Sequence, residues 1–272
     1  QLLAEGYICS MPRRGYYACE LPDAPVLASA AEGIDRDAVS VGPSEHDVRG
    51  RVERFDALSP SALEAARLWQ SALRATLASE DEREIFSPAP AQGTARLRRA
   101  IAHHLRGTRG MNVDPDNIVI GAGAQLLDTM LVQLLGVDKV YAVEDPGYLR
   151  LTRIYQAMGC QVRHIPLDDD GVDLNALQKT GTDVLHLMPS HQYPTGLVTS
   201  IARRYALLSW AAERPGRYLI EDDFDCEFRL AGKPIPALAS IDAAQSVIYT
   251  NTFSKSLSSA LRLAYMVLPD EL

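Results

Sequence analysis

The chain reads as an α/β protein: a mostly parallel sheet covered by helices on both faces. Two observations carry this. From about residue 61, short apolar runs alternate with segments whose apolar residues recur every three to four positions, the pattern of strands interleaved with crossover helices. The residues able to do chemistry fall repeatedly just after the apolar runs, where open sheets of this kind bind ligands. Size and composition allow it. At 272 residues, 47% hydrophobic and 23% charged, the chain can bury one large core or two smaller ones and has the balance of a soluble globular protein.

Leu2 to Ile8 reads as a helix end stopped by Gly6, and Arg13 to Ala18 as a short basic hairpin. Residues 21–60 hold prolines, glycines and mixed charge with weak periodicity, as a linker or an arm over a neighbour does. Residues 61–272 form the α/β domain. Ser61 is placed as the cap of a helix carrying Leu63, Ala66, Leu73 and Leu77, with Glu64 at the reciprocal capping position. Leu97, Ile101 and Leu105 share one face of a helix near 94–106. Strands follow at Ile118–Ile120, Val140–Val143, Val162–Ile165, Val184–Leu187, Tyr218–Ile220, Val247–Tyr249 and Ala264–Leu268. Helices lie at Leu126–Leu135, Leu149–Met158 and 201–213.

Several classes are disfavoured. A net charge of −8 argues against a nucleic-acid-binding surface across the whole chain, though not against a small basic module. Cys9, Cys19, Cys160 and Cys226 show no CxxC spacing and suit reduced thiols in a cytoplasm. No apolar run reaches membrane-spanning length and no signal-peptide pattern opens the chain, so a cytoplasmic location with no membrane partner is expected. His191 has no second ligand at metal spacing, and the adjacent His103 and His104 point different ways, so no metal site is expected.

Thr252-Phe253-Ser254-Lys255-Ser256-Leu257, followed by Arg262, carries the strongest signal. A strand there runs into a polar turn presenting one lysine among hydroxyls, and a desolvated lysine can form a Schiff base with an aldehyde. Upstream, the strand Tyr218-Leu219-Ile220 ends in Glu221-Asp222-Asp223. A lysine and a carboxylate at neighbouring strand ends are what pyridoxal phosphate needs, one for its aldehyde and one for its ring nitrogen. Gly121-Ala122-Gly123-Ala124-Gln125 opens a helix after another strand. It is either a phosphate seat, with Thr252, Ser254 and Arg262 completing it, or a plain tight turn. Tyr148 stands where its ring can lie against a flat heteroaromatic or serve as a rim residue. Pro189 to Gly196 is a rigid turn whose polar groups are fixed in advance.

Met188-Pro-Ser-His-Gln-Tyr-Pro-Thr-Gly196, Glu221-Asp-Asp-Phe-Asp-Cys-Glu-Phe228 and Thr252-Phe-Ser-Lys-Ser-Leu257 through Arg262 together resemble the aminotransferase-like domain of MocR-type regulators. These are GntR-family transcription factors that fuse a winged helix-turn-helix to a fold-type I domain dependent on pyridoxal phosphate. The likeness runs from about 93 to 269, and residues 1–20 resemble the end and wing of the winged helix. It implies that Lys255 holds the internal aldimine, that Asp222 keeps the pyridine nitrogen protonated, and that Tyr148 stacks on the ring. It also implies that Ala124, Gln125, Thr252, Ser254 and Arg262 bind the phosphate, and that Arg150 meets a substrate carboxylate in some members.

Phe224 departs from the family's usual tyrosine, which leaves the cofactor's phenolic oxygen to another donor such as Gln192 or water. By the family's measure the chain lacks the helices before the wing and stops before the small domain that closes over substrate. Two functions compete. The first is a regulator domain, homodimeric, that senses pyridoxal phosphate or an amino compound while the winged helix binds DNA through groups such as Arg13 and Arg14. The second is a working aminotransferase acting on an amino acid or amine. A defective fragment that binds nothing is the third reading.

Overall fold

The computed structural model describes residues 8–11, 15–18, 60–79, 87–228 and 236–272. The chain divides into two compact units, Gln1–Leu63 and Glu64–Leu272. In the first, β1 (Ile8–Met11) pairs antiparallel with β2 (Gly15–Ala18), Ile8 opposite Ala18 and Met11 opposite Gly15. A hairpin forms here as expected, but Ile8 belongs to its first strand and does not end a helix, because cross-strand pairing claims this β-branched residue. Residues 1–7, Arg13, Arg14 and the linker over 21–59 lie outside the described residues.

Helix α1 (Pro60–Ser79) starts one residue before the expected cap. Proline suits the first helical position, where its missing N–H has no partner to lose, so Ser61 stands within the first turn. In the second unit, α2 (Ala95–Arg109) is capped by Thr94, whose hydroxyl accepts from the Leu97 N–H at 3.4 Å. It stops at Gly110, whose left-handed φ of 68° favours glycine. Ile101 and Leu105 are buried, and Leu97 packs beside them.

An eight-stranded sheet follows. Its strands are β3 (Ile118–Gly121), β4 (Val140–Asp145), β5 (Gln161–Asp168), β6 (Gly171–Val172), β7 (Val184–Leu187), β8 (Tyr218–Asp222), β9 (Val247–Thr252) and β10 (Ala264–Val267). They lie in the order β3-β10-β9-β8-β7-β4-β5-β6. The run β9-β8-β7-β4-β5 is parallel, and β10 runs antiparallel to both neighbours. The helices are α3 (Ala124–Leu135), α4 (Leu149–Ala157), α5 (Leu174–Gln178), α6 (Ile201–Ala212) and α7 (Leu238–Ile241).

The purely apolar strands are explained by burial on both faces. Ile220 packs with Leu127, Leu131 and Tyr155 of α3 and α4, whereas its neighbour Leu219 packs with Leu207 and Trp210 of α6. Both are fully buried, so neither face tolerates a polar alternation. A third cluster joins Ile101 and Leu105 of α2 to Ile118, Tyr249 and Tyr265. The short pieces β6, α5 and α7 escape a reading based on periodicity, since two to five residues carry no period.

Candidate functional site

Sheet register brings the predicted turns together. Ala264, at the start of β10, pairs with Gly121 at the end of β3 on one side and Thr252 at the end of β9 on the other. Asp222, at the end of β8, stands opposite Thr250. The Gly121–Gln125 turn, the Thr252–Lys255 turn and the Asp222 carboxyl therefore occupy one edge of the sheet, two strand spacings separating neighbours at most, about 10 Å.

The first turn has a feature that a plain tight turn does not require. Gly123, with φ 96° and ψ 158°, caps α3, and a β-carbon built there would lie 2.7 Å from Cζ of Arg262. The guanidinium rests on the glycine backbone, with Nη2 3.5 Å from the Ala122 carbonyl oxygen, and Arg262 itself holds a left-handed φ of 49°. A glycine-lined helix N-terminus, whose free N–H groups and dipole favour an anion, thus meets a cation across a space kept clear of side chains. Ala124 and Gln125 form the first turn of α3. Thr252 adds its hydroxyl, which donates to Ser254 Oγ at 2.9 Å and accepts from the Ser254 N–H at 3.2 Å.

Lys255 is carried on the next, wide helical turn, in which the N–H groups of Leu257 and Ser258 both donate to the Phe253 carbonyl (2.9 and 3.2 Å). The desolvation expected of this lysine is not observed. It lies outside the last strand residue and is exposed.

The two aspartates at the end of β8 face opposite ways, as strand alternation requires. Asp223 is buried, accepts from the Tyr249 hydroxyl at 2.7 Å and pairs with Arg109 Nε at 2.9 Å. Asp222 instead faces His186 of β7, whose Nε2 is 3.9 Å from its Oδ2. Burial first, then the nearby Asp223 and Asp225, raise the Asp222 carboxyl to about 7. Two further acids are coupled to Asp222. Asp128 of α3 is pushed well above the usual carboxylate range by burial and by Asp222, and Glu144 of β4 is raised to about 8, burial being the main cause. Asp225 is drawn away into a short contact with His191 Nδ1.

Tyr148 caps α4 and is half-exposed, its ring edge-on to Tyr193 at 5.8 Å. Gln192 has a different occupation from the one expected. Its amide N–H groups donate to the Pro146 carbonyl (2.9 Å), the Tyr193 carbonyl (2.6 Å) and Glu144 Oε2 (3.3 Å), and its oxygen accepts from the Thr195 N–H and hydroxyl (3.1 and 2.6 Å). A buried amide so fully engaged holds the Pro189–Gly196 turn in shape and has no donor left for a cofactor oxygen. Phe224 lays its ring against His191, 6.2 Å between centroids. Arg150 is exposed on the first turn of α4, with no hydrogen bond or ion pair among the described residues. His104 does not simply face solvent, because Glu227 Oε1 lies 3.8 Å from its Nε2.

Sequence reasoning passes over His186, Tyr155, Asp128 and Glu144. Their signal is a polar residue inside an apolar element: histidine within Val-Leu-His-Leu, aspartate within Leu-Leu-Asp-Thr-Met. Such residues tolerate burial only when partnered, and here they surround Asp222. Together the residues fit a phosphorylated pyridine aldehyde. An anion seat, a carboxyl for the ring nitrogen, a half-exposed tyrosine and a lysine stand on one sheet edge.

Comparison with known proteins agrees with this chemistry. The model of the family described as aminotransferase class I and II matches residues 56–272. The chain is 34% identical over 275 residues to the HTH-type transcriptional regulator YdeL of Bacillus subtilis, covering 100% of this chain and 57% of that protein. It is 34% identical to the HTH-type pyridoxine biosynthesis transcriptional regulator PdxR of Corynebacterium glutamicum (99% and 56% covered). It is 27% identical to the probable rhizopine catabolism regulatory protein MocR of Rhizobium meliloti (100% and 56%). The chain thus spans a little over half the length of these relatives.

Among solved structures, an archaeal alanine:glyoxylate aminotransferase shares the fold at a TM-score of 0.71 and 24% identity, over 83% of this chain and 60% of that one. The α-aminoadipate aminotransferase LysN of Thermus thermophilus, solved with N-(5'-phosphopyridoxyl)-L-leucine, aligns at 0.66 and 28%, over 78% and 55%.

Proposed function

From the premise that this chain belongs to the aminotransferase class I and II family, on the branch of the MocR-type GntR regulators, we propose that it is the sensing domain of a transcriptional regulator. The domain binds pyridoxal phosphate, attaches it to Lys255, and reports its arrival, or that of an amino compound reacting with it, to a winged helix that contacts DNA. The parent protein works as a homodimer in the cytoplasm. The observation that carries the ligand is the Gly123–Arg262 approach, beside the lysine turn and next to a carboxyl raised to about 7.

When bound, pyridoxal phosphate supplies an aldehyde that captures amines and a ring that withdraws electrons. The chain's residues do the rest. Arg262, Thr252, Ser254 and the N–H groups opening α3 bind phosphate and fix the depth of the ring. Tyr148 would lie against the ring. Asp222 would hold a proton toward the ring nitrogen, and Lys255 would provide the amine. Gln192 holds the Pro189–Gly196 turn against Glu144 and Pro146.

The test is to titrate the protein with pyridoxal phosphate, follow the near-visible absorbance band, reduce with borohydride and map the label. Label on the peptide carrying Lys255, lost in Lys255→Ala, is the expected result. Label on another lysine refutes the assignment. Addition of amino acids or amines is expected to shift the band without steady release of keto product, and multiple turnovers would instead make the domain an aminotransferase.

A further inference from the structure

Behind Asp222 lies a buried pair that the functions assigned above leave unused. Tyr155 of α4 is fully buried, its ring stacked on Tyr141 at 4.8 Å between centroids, and its hydroxyl is 2.6 Å from Nδ1 of His186. His186 is 2% exposed, and its Nε2 has no hydrogen-bond partner among the described residues. The group that Nε2 faces is the Asp222 carboxylate, 3.9 Å away.

We propose that Tyr155 and His186 are positioning residues for Asp222: the tyrosine hydroxyl fixes the histidine tautomer, and the histidine presents an N–H that favours the ionised carboxylate. The proposal rests on the cofactor reading above for its purpose, but its parts can be tested without cofactor.

The tautomer follows from proton accounting. Burial lowers the His186 imidazolium to about 3, so the ring is neutral at working pH, and it raises the Tyr155 phenol well above its usual value, so the hydroxyl keeps its proton. The protonated hydroxyl has no other acceptor among the described hydrogen bonds, so its O–H is assigned to Nδ1 at 2.6 Å, which leaves the single ring proton on Nε2. That N–H points at Asp222. A carboxylate displacement of about 1 Å brings the contact to hydrogen-bond length.

The other charged or titratable groups around the carboxyl act in the opposite sense. Asp223 and Asp225 on its own segment raise it, and Asp222 in turn raises Asp128 of α3 and Glu144 of β4. Tyr141 and Cys160 flank Tyr155. Against Asp223 and Asp225, His186 sets a neutral ring nitrogen 3.9 Å from the Asp222 carboxyl. Favouring the carboxylate also favours a proton on the ring nitrogen in place of the carboxyl, so the pair sets where the shared proton resides.

The experiment uses cofactor-free protein. Long-range ¹⁵N–¹H correlation spectra of ¹⁵N-histidine protein are expected to show His186 as the Nε2–H tautomer from pH 5 to 8. Tyr155→Phe, which keeps the ring stacked on Tyr141, is expected to abolish that preference. In ¹³C-aspartate protein, the Asp222 resonance, assigned through Asp222→Asn, is expected to titrate about one to two pH units higher in His186→Leu, and to return toward the parent in His186→Gln, which keeps an N–H donor.

An Nδ1–H tautomer in the parent, or an Asp222 titration unmoved in both His186→Leu and Tyr155→Phe, overturns the proposal. Should His186→Leu not fold, Tyr155→Phe carries the decision alone. Because neither readout involves Lys255, a missing borohydride label beside a shifted Asp222 titration removes the cofactor reading and upholds the pair.

Discussion

Gly123→Ala separates the anion seat from the fold that supports it. The substitution has two costs, and they appear in different measurements. The first is backbone: φ 96° with ψ 158° is a region that residues with a β-carbon hardly enter, at about 1–3 kcal/mol, so the unfolding free energy should fall by that amount. The second is steric. The new β-carbon lies 2.7 Å from Arg262 Cζ, but the guanidinium is the end of a flexible side chain and can swing away. Moving it adds little to the stability loss and removes the cation from the seat.

A charge-assisted hydrogen bond contributes about 1.5–3 kcal/mol, so the dissociation constant for pyridoxal phosphate should rise about 10- to 150-fold. Arg262→Ala should give the same loss of affinity with unchanged stability. The double variant should bind no worse than either single one, because both remove the same contact, yet retain the full stability loss of Gly123→Ala. Absorbance titration supplies the affinities and urea unfolding the stabilities. Additive affinity losses, or parent-like binding by Gly123→Ala, would refute the idea that glycine and arginine form one phosphate seat.

Two further outcomes follow from the buried charges. Asp222 and Glu144, raised to about 7 and about 8 in the fold, hold protons that the unfolded chain has released, so they favour the native state at acid pH and that contribution is lost as pH rises from about 4 through 8. The unfolding midpoint of cofactor-free protein should therefore fall between pH 6 and 8, and Glu144→Gln should flatten the fall; an identical slope in both proteins would count against the acid cluster. Arg204 is fully buried beside Glu221 (3.7 Å) and donates to the carbonyls of Thr199, Pro236 and Pro189. Arg204→Leu leaves Glu221 without its cation and should cost about 3–5 kcal/mol in urea unfolding, while a loss under about 1 kcal/mol would show the pair to be replaceable.

What the sequence makes legible depends on whether a residue's role is local. The strands at Ile118, Val140, Val184, Tyr218, Val247 and Ala264 are readable because burial on both faces demands unbroken apolar runs; the first five each deliver their following turn to the same end of the sheet, where antiparallel β10 begins. Lys255, Asp222 and the Gly121–Gln125 turn are visible for that reason. The distinction between Asp222 and Asp223 is equally local, since alternation alone sends them to opposite faces.

The site's supporting groups are not local. Nothing near Gln192 in the chain announces Glu144 or Pro146, which lie more than forty residues upstream and use up its amide. His186 meets Tyr155 across thirty-one positions and Asp222 across a strand pair, and Arg262 meets Gly123 only because β10 returns antiparallel beside β3. Lys255 shows the limit from the other side. Its position at a strand end is local and readable, but its exposure depends on what covers the turn, a property of surfaces and not of spacing.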